Sequence, residues 1–132
     1  MNKHNRSLVT ISGSTRFIEA IAVVSWILER DRNCMVLGMH YLPRWYTDET
    51  DHLAEAQGVA DKLDRLHFDK IDLSDELYVV DVEGYIGEST KKEIEYADKA
   101  GMPIRYLSKD IDMIQSLMVD LRLGKIGQVR HV

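Results

Sequence analysis

The 132-residue sequence predicts an α/β fold, a Rossmann-like or flavodoxin-like three-layer sandwich with a mainly parallel sheet of about four to five strands. Three observations predict it. Short β-rich runs alternate with helical stretches in the order β-α-β-α-β-α-β-α, which implies right-handed crossovers. The run from Cys34 to His40 is almost continuously apolar, as strands covered on both faces are. A glycine turn, Gly13-Ser14, closes the first run at the edge where such sheets receive ligands.

Each element has its own signal. Ser7 to Ser12, SLVTIS, is a β-rich run ended by Gly13. From Thr15 to Arg30, Phe17, Ile21, Val24 and Leu28 recur on one helical face. Cys34 to His40, CMVLGMH, forms the second strand, and YLPRWYTDET is a loop with two exposed aromatics, Trp45 and Tyr46. A long amphipathic helix is expected from Thr50 to about Ile71, with Leu53, Ala56, Ala60, Leu63 and Leu66 as its buried stripe and Gly58 as a weak point. Glu76 to Val82 is the third strand. A helix starts near Thr90 and ends before Gly101, which suits a C′ glycine. MPIRYLS is the fourth strand, and a last helix covers Ile111 to Arg122. No repeat, linker or low-complexity segment divides the chain, so one domain is expected over residues 1–132.

The bulk chemistry narrows the classes. Hydrophobic residues make up 45% and charged residues 30%, an ordinary globular balance. With 17 Lys plus Arg against 22 Asp plus Glu, the net charge is -5, which argues against a nucleic-acid polymer as partner. The single cysteine, Cys34, excludes an intrachain disulfide and reads as a buried thiol. The longest apolar segment, IAVVSWIL, is too short to span a bilayer. No signal peptide is visible at the start, so a cytoplasmic location and no membrane partner are expected.

Four places carry candidate chemistry, each with a plainer reading beside it. In SGSTRF, Gly13 permits a tight turn, and the N–H groups at Ser14 and Thr15 favour an anion. Arg16 in a helix's first turn opposes the macrodipole, a conflict that an anionic ligand removes. In the plainer reading Ser14 is an N-cap and Arg16 a surface residue. His40, Trp45 and Tyr46 cluster after strand two, where an aromatic pair could sandwich a planar base or simply cover the core. In LDRLHFDKIDLSD, most acids must be surface charges. His67 could point toward the sheet edge. No second histidine lies at i+4, so the spacing does not favour a metal. Glu93 lies one turn into the helix that follows the Gly84–Gly87 loop. It can be a nucleophile, or the acid of a capping box with Thr90, Thr-x-x-Glu; spacing alone favours the box.

Taken together, these landmarks resemble the nucleoside 2-deoxyribosyltransferase-like superfamily, including its nucleoside 5′-monophosphate N-glycosidase branch, over Val9 to Leu107. Gly13-Ser14-Thr15-Arg16 is similar to the family's Gly-Ser-x-Arg element, which contacts phosphate or sugar. His40 with Trp45 resembles the pyrimidine-monophosphate glycosidases. Glu93-Ile94-Glu95-Tyr96-Ala97 resembles the helix start whose glutamate is the nucleophile. The sequence departs from the family at His67, where the family carries an aspartate and Asp69 is the nearest acid. It also departs at Gly87, in place of a loop serine for which Ser89 and Thr90 could substitute, and at Glu95, in place of a glycine.

The resemblance implies an N-glycosidase or base-transferase for a small nucleoside or nucleotide, with Glu93 attacking the anomeric carbon. Arg16, Ser14 and Thr15 would hold a 5′-phosphate, and Trp45 or Tyr46 would stack on the base. Asp69, His67 or Asp81 would protonate the leaving base. No cofactor or metal is needed, and a homo-oligomer, dimer or higher, is implied. Met113, Leu117, Met118 and Leu121 on the last helix suit either an oligomer contact or packing on the sheet. The His67 departure favours an alternative, a non-catalytic nucleotide-binding module that senses or sequesters its ligand. A structural subunit with a vestigial pocket is the blandest reading.

Overall fold

A computed structural model describes residues 5–40, 42, 44–47 and 56–122. It is an α/β structure with one four-stranded, wholly parallel sheet flanked by helices. The strands are β1 (Leu8–Gly13), β2 (Met35–Leu37), β3 (Glu76–Val80) and β4 (Ile104–Tyr106), in the order β2-β1-β3-β4. The helices are α1 (Ile18–Arg32), the single turn α2 (Arg44–Thr47), α3 (Ala60–Leu73), α4 (Glu88–Lys99) and α5 (Ile111–Arg122). Chain order reverses between β1 and β3, and the crevice at such a switch point is where open α/β sheets take ligands.

β1 shows how the sequence makes two faces. Val9 and Ile11 enter a core with Ile21, Val24 and Leu28 of α1, Tyr78 and Val80 of β3, and Met113 and Leu117 of α5. Thr10 and Ser12 face the opposite way, as alternate strand residues must. That face is also buried. Thr10 Oγ1 donates to the Lys70 carbonyl (3.0 Å) and pairs closely with Ser74 Oγ. Beyond β1 on that side, Ile71, Leu77, Val79 and Ala97 form the second, smaller core. Gly13 is required by crowding: a Cβ there would lie 3.1 Å from Ile21 Cδ1 and from the Val80 carbonyl oxygen.

Several boundaries differ from expectation for local reasons. A 3-10 turn, Thr15–Phe17, precedes α1, and α1 runs on to Arg32 before Asn33 ends it in the left-handed conformation (φ 54). β2 is shorter than Cys34–His40: its ladder with β1 ends at Leu37, and the next carbonyl, that of Gly38, accepts from Lys70 Nζ (2.8 Å) instead. The long helix expected from Thr50 is interrupted: the chain turns at Gln57–Gly58 with Gly58 at φ +72, and α3 begins at Ala60. Leu53 and the rest of residues 48–55 lie outside the described residues. The stripe is also rotated, since Leu66 is 42% exposed while His67 and Ile71 are buried. α4 starts at Glu88, two residues before Thr90. It ends as expected near Gly101 (φ +70), with Met102 N–H to the Ala97 carbonyl and Gly101 N–H to the Asp98 carbonyl, a Schellman closure. On α5, Met113 and Leu117 pack inward and Met118 is exposed; the Leu121 side chain lies outside the description. No helix among the described residues is long and apolar enough to cross a membrane.

Candidate functional site

A cavity of about 660 Å³ opens at the carboxyl ends of β1 and β3. Its volume suits a drug-sized or nucleotide-sized ligand. The floor comes from three elements. Ser12, next to the end of β1, backs the floor from beneath, His67 projects from α3, and Glu93 projects from α4; all three are buried. Ser12 Oγ donates to Glu93 Oε2 at 2.6 Å. His67 Nε2 lies 3.3 Å from Ser12 Oγ and 3.2 Å from Glu93 Oε2. Glu93 does not fold back onto Thr90, so the capping box is not formed; Gly87 is the N-cap, and Thr90 is buried within the first turn of α4.

Burial sets the charge state of this floor. It pushes the Glu93 carboxyl up to about 7, opposed by the Ser12 hydrogen bond and helped by the nearby Asp64 carboxylate. Burial also pushes His67 down to about 4, helped by the charges of Lys70 and His40 and opposed by the Ile11 carbonyl. Near neutral pH the ring is therefore neutral, and Glu93 is poised between acid and carboxylate.

The walls gather most of the expected residues. Gly13, Ser14, Thr15 and Arg16 line one side. Ser14 Oγ accepts from the Arg16 N–H (3.2 Å), so the N-cap reading of Ser14 holds while the loop still faces the cavity. The Arg16 guanidinium stacks 4.4 Å above the Tyr85 ring. Gly87, Ser89 and Thr90 bring the start of α4 to the same side. His40 and Tyr46 line the opposite, β2 side.

Three expected residues are elsewhere. Trp45 is 83% exposed, meets Tyr46 edge to face, and does not line the cavity, so Tyr46 is the aromatic that α2 offers. Asp69 is exposed and lies off the cavity. It is two residues past His67, and two residues turn a helix by about 200°. Asp81 accepts from Ser108 N–H (2.9 Å) and Ser108 Oγ (2.6 Å), which ties β3 to the turn after β4.

The cavity residues that escaped the sequence reading include Asp64, Lys70 and Tyr85, and behind Glu93 lies Ser12, which also escaped it. Asp64 and Lys70 were legible in principle, at i-3 and i+3 from His67 on one helical face. Ser12 was hidden by the habit of reading the polar residues of a strand as its solvent side. Comparison with protein-family models, curated proteins and solved structures finds no match to this chain.

Proposed function

We propose that the protein is an N-glycosidase or base-transferase acting on a small nucleoside or nucleoside 5′-monophosphate, as its resemblance to nucleoside 2-deoxyribosyltransferase-like proteins implies. The observation that carries this reading is the Glu93 carboxyl, buried beside Ser12 and His67 at the base of the switch-point cavity. A buried carboxyl held by neighbours in a ligand cleft is a candidate reactive group.

The cavity's two sides suggest an orientation. Arg16 and the first N–H groups of α4 suit a 5′-phosphate on the β3 side. Tyr46 and His40 lie on the β2 side, where the base would rest. Glu93 would then attack C1′ through an oxocarbenium-like transition state to form a glycosyl ester. Water or a second base resolves it, as in retaining glycosidases. Because the nucleophile must be ionised, base release should rise with pH through about 7.

The test is incubation with ribo- and deoxyribonucleoside 5′-monophosphates and detection of free base by chromatography. Wild type should release base, and Glu93→Gln should be slowed on the order of 1,000-fold or more. Equal release by the two proteins would sink the assignment.

One observation favours a binding module instead. Among the described residues no buried side-chain nitrogen or oxygen lacks a hydrogen-bond partner, so the floor is satisfied without any ligand chemistry. That reading predicts thermal stabilisation by a nucleotide that is recovered intact.

A further inference from the structure

Hydrolysis of an N-glycosidic bond leaves an electron pair on the departing base, and none of the three proton donors suggested by the sequence is placed to meet it. Asp69 is off the cavity, Asp81 is held by Ser108, and His67 is neutral and occupied with Ser12 and Glu93. Lys70 is differently placed. It lies one turn beyond His67 on α3, is half-buried, and lines the same cavity. Its ammonium donates to the Gly38 carbonyl at 2.8 Å, and among the described residues no carboxylate pairs with it.

Lys70 thus brings to the cavity an ammonium that no described carboxylate neutralises by direct contact. The Gly38 bond uses one of its three donors and leaves two. Because Gly38 follows β2 while Tyr85 follows β3, the strand order puts this cation on the opposite side of β1 from Arg16 and Tyr85. That is the side to which a base would point if the phosphate lay at Arg16.

We propose that the Lys70 ammonium stabilises the anion of the departing base, by donating to a carbonyl oxygen beside the glycosidic nitrogen. This rests on the glycosidase reading and deepens it, naming pyrimidine nucleotides as the substrate class. A Glu93 carboxylate oxygen bonds to C1′ as the C1′–N bond breaks, and the electron pair leaves with the base. Lys70 holds the resulting anion, which takes a proton from a water molecule. The hydroxide so formed attacks C1′ and displaces Glu93, giving free base and sugar phosphate. A positive charge preorganised at the site of developing negative charge is the usual large electrostatic contribution to such a step.

The experiment compares kcat/KM for uridine and 5-fluorouridine 5′-monophosphates, ribo and 2′-deoxy, in wild type, Lys70→Met and Lys70→Arg. The fluorinated base is the better leaving group and needs less help. Lys70→Met should lose about 100-fold with the uracil substrate and about tenfold or less with the fluorinated one, while Lys70→Arg keeps most of the rate. Equal losses on both substrates would overturn the role of Lys70 and leave the glycosidase reading standing. Release of no base by wild type would overturn both. A Lys70→Met protein whose unfolding midpoint matches that of Lys70→Arg excludes misfolding as the cause of a loss.

Discussion

Two side-chain clusters in this molecule, one buried and one half-buried, use the same kinds of group, an acid, a base and a hydroxyl, to opposite ends. At the cavity floor they are Glu93, His67 and Ser12. On the other face of the sheet they are Asp110, Arg32 and Tyr78. There Arg32 grips Asp110 through two hydrogen bonds (2.7 and 2.8 Å), and Tyr78 Oη donates to the same carboxylate (2.8 Å). Asp110 also caps α5 by accepting from the Met113 N–H (3.2 Å). The permanent guanidinium charge holds Asp110 down at about 2, whereas burial beside a neutral ring lifts Glu93 to about 7. Burial also raises the Tyr78 hydroxyl, helped by Asp110. A carboxylate with a fixed cation becomes a staple between α1, β3 and α5. A carboxylate with a titratable partner stays near the point of protonation, where it can react. The difference lies in the depth of burial, which is greater at Glu93, and in whether the partner's charge is obligatory.

The sharpest way to break this comparison is to neutralise each acid. Asp110→Ala removes the cap of α5 and the acceptor of both Arg32 and the buried Tyr78 hydroxyl, and should destabilise the fold by about 3 kcal/mol, read from denaturant midpoints at neutral pH. Glu93→Gln removes an acid whose ionised form the fold disfavours, so it should raise stability at pH 8. A loss at Glu93 comparable to that at Asp110 would mean that both clusters are staples.

A second test uses pH. Glu93 is raised, so its contribution is fully present below about 4.5, the ordinary value, and is lost as pH rises to about 7. His67 is lowered, so the fold excludes a proton that the unfolded ring binds, and stability rises with pH from about 4 to 6.5. The two slopes oppose each other, and this pair should leave wild type nearly flat across the window. His67→Gln should unmask the Glu93 slope, with stability falling by up to about 3 kcal/mol between pH 4.5 and 7. If wild type and His67→Gln show parallel pH profiles, the two groups do not titrate as described.

The smallest effect concerns the cavity wall. Tyr85→Leu removes the ring beneath Arg16, a contact worth about 1 kcal/mol. It should raise KM for a nucleoside 5′-monophosphate about fivefold and leave the dephosphorylated nucleoside unaffected. The same KM shift for nucleotide and nucleoside would separate Arg16 from the phosphate.

Much of the fold was legible in the sequence because it depends on local period. Phe17, Ile21, Val24 and Leu28 fell on one helical face and are all buried. Gly101 closed α4 as a glycine in the left-handed region does, and the alternation of strands and helices implied a parallel sheet. The lining of the candidate site was legible in part. Gly13 to Arg16, His40, Tyr46, His67 and Glu93 reach one cavity, but nothing local separated Trp45 from Tyr46 or Asp69 from Asp64.

Tertiary structure decided the remainder, because partners, unlike faces, are brought together from far apart along the chain. Ser12 meets His67 across 55 residues and Glu93 across 81. Within its own helix, Glu93 had a partner three residues away at Thr90, and the capping-box spacing was genuine. Packing α4 against β1 started the helix two residues early and turned that carboxyl onto Ser12. Residue order thus determined which surfaces would be covered. Only the packing of three distant elements determined that one glutamate would be buried without a permanent cation beside it.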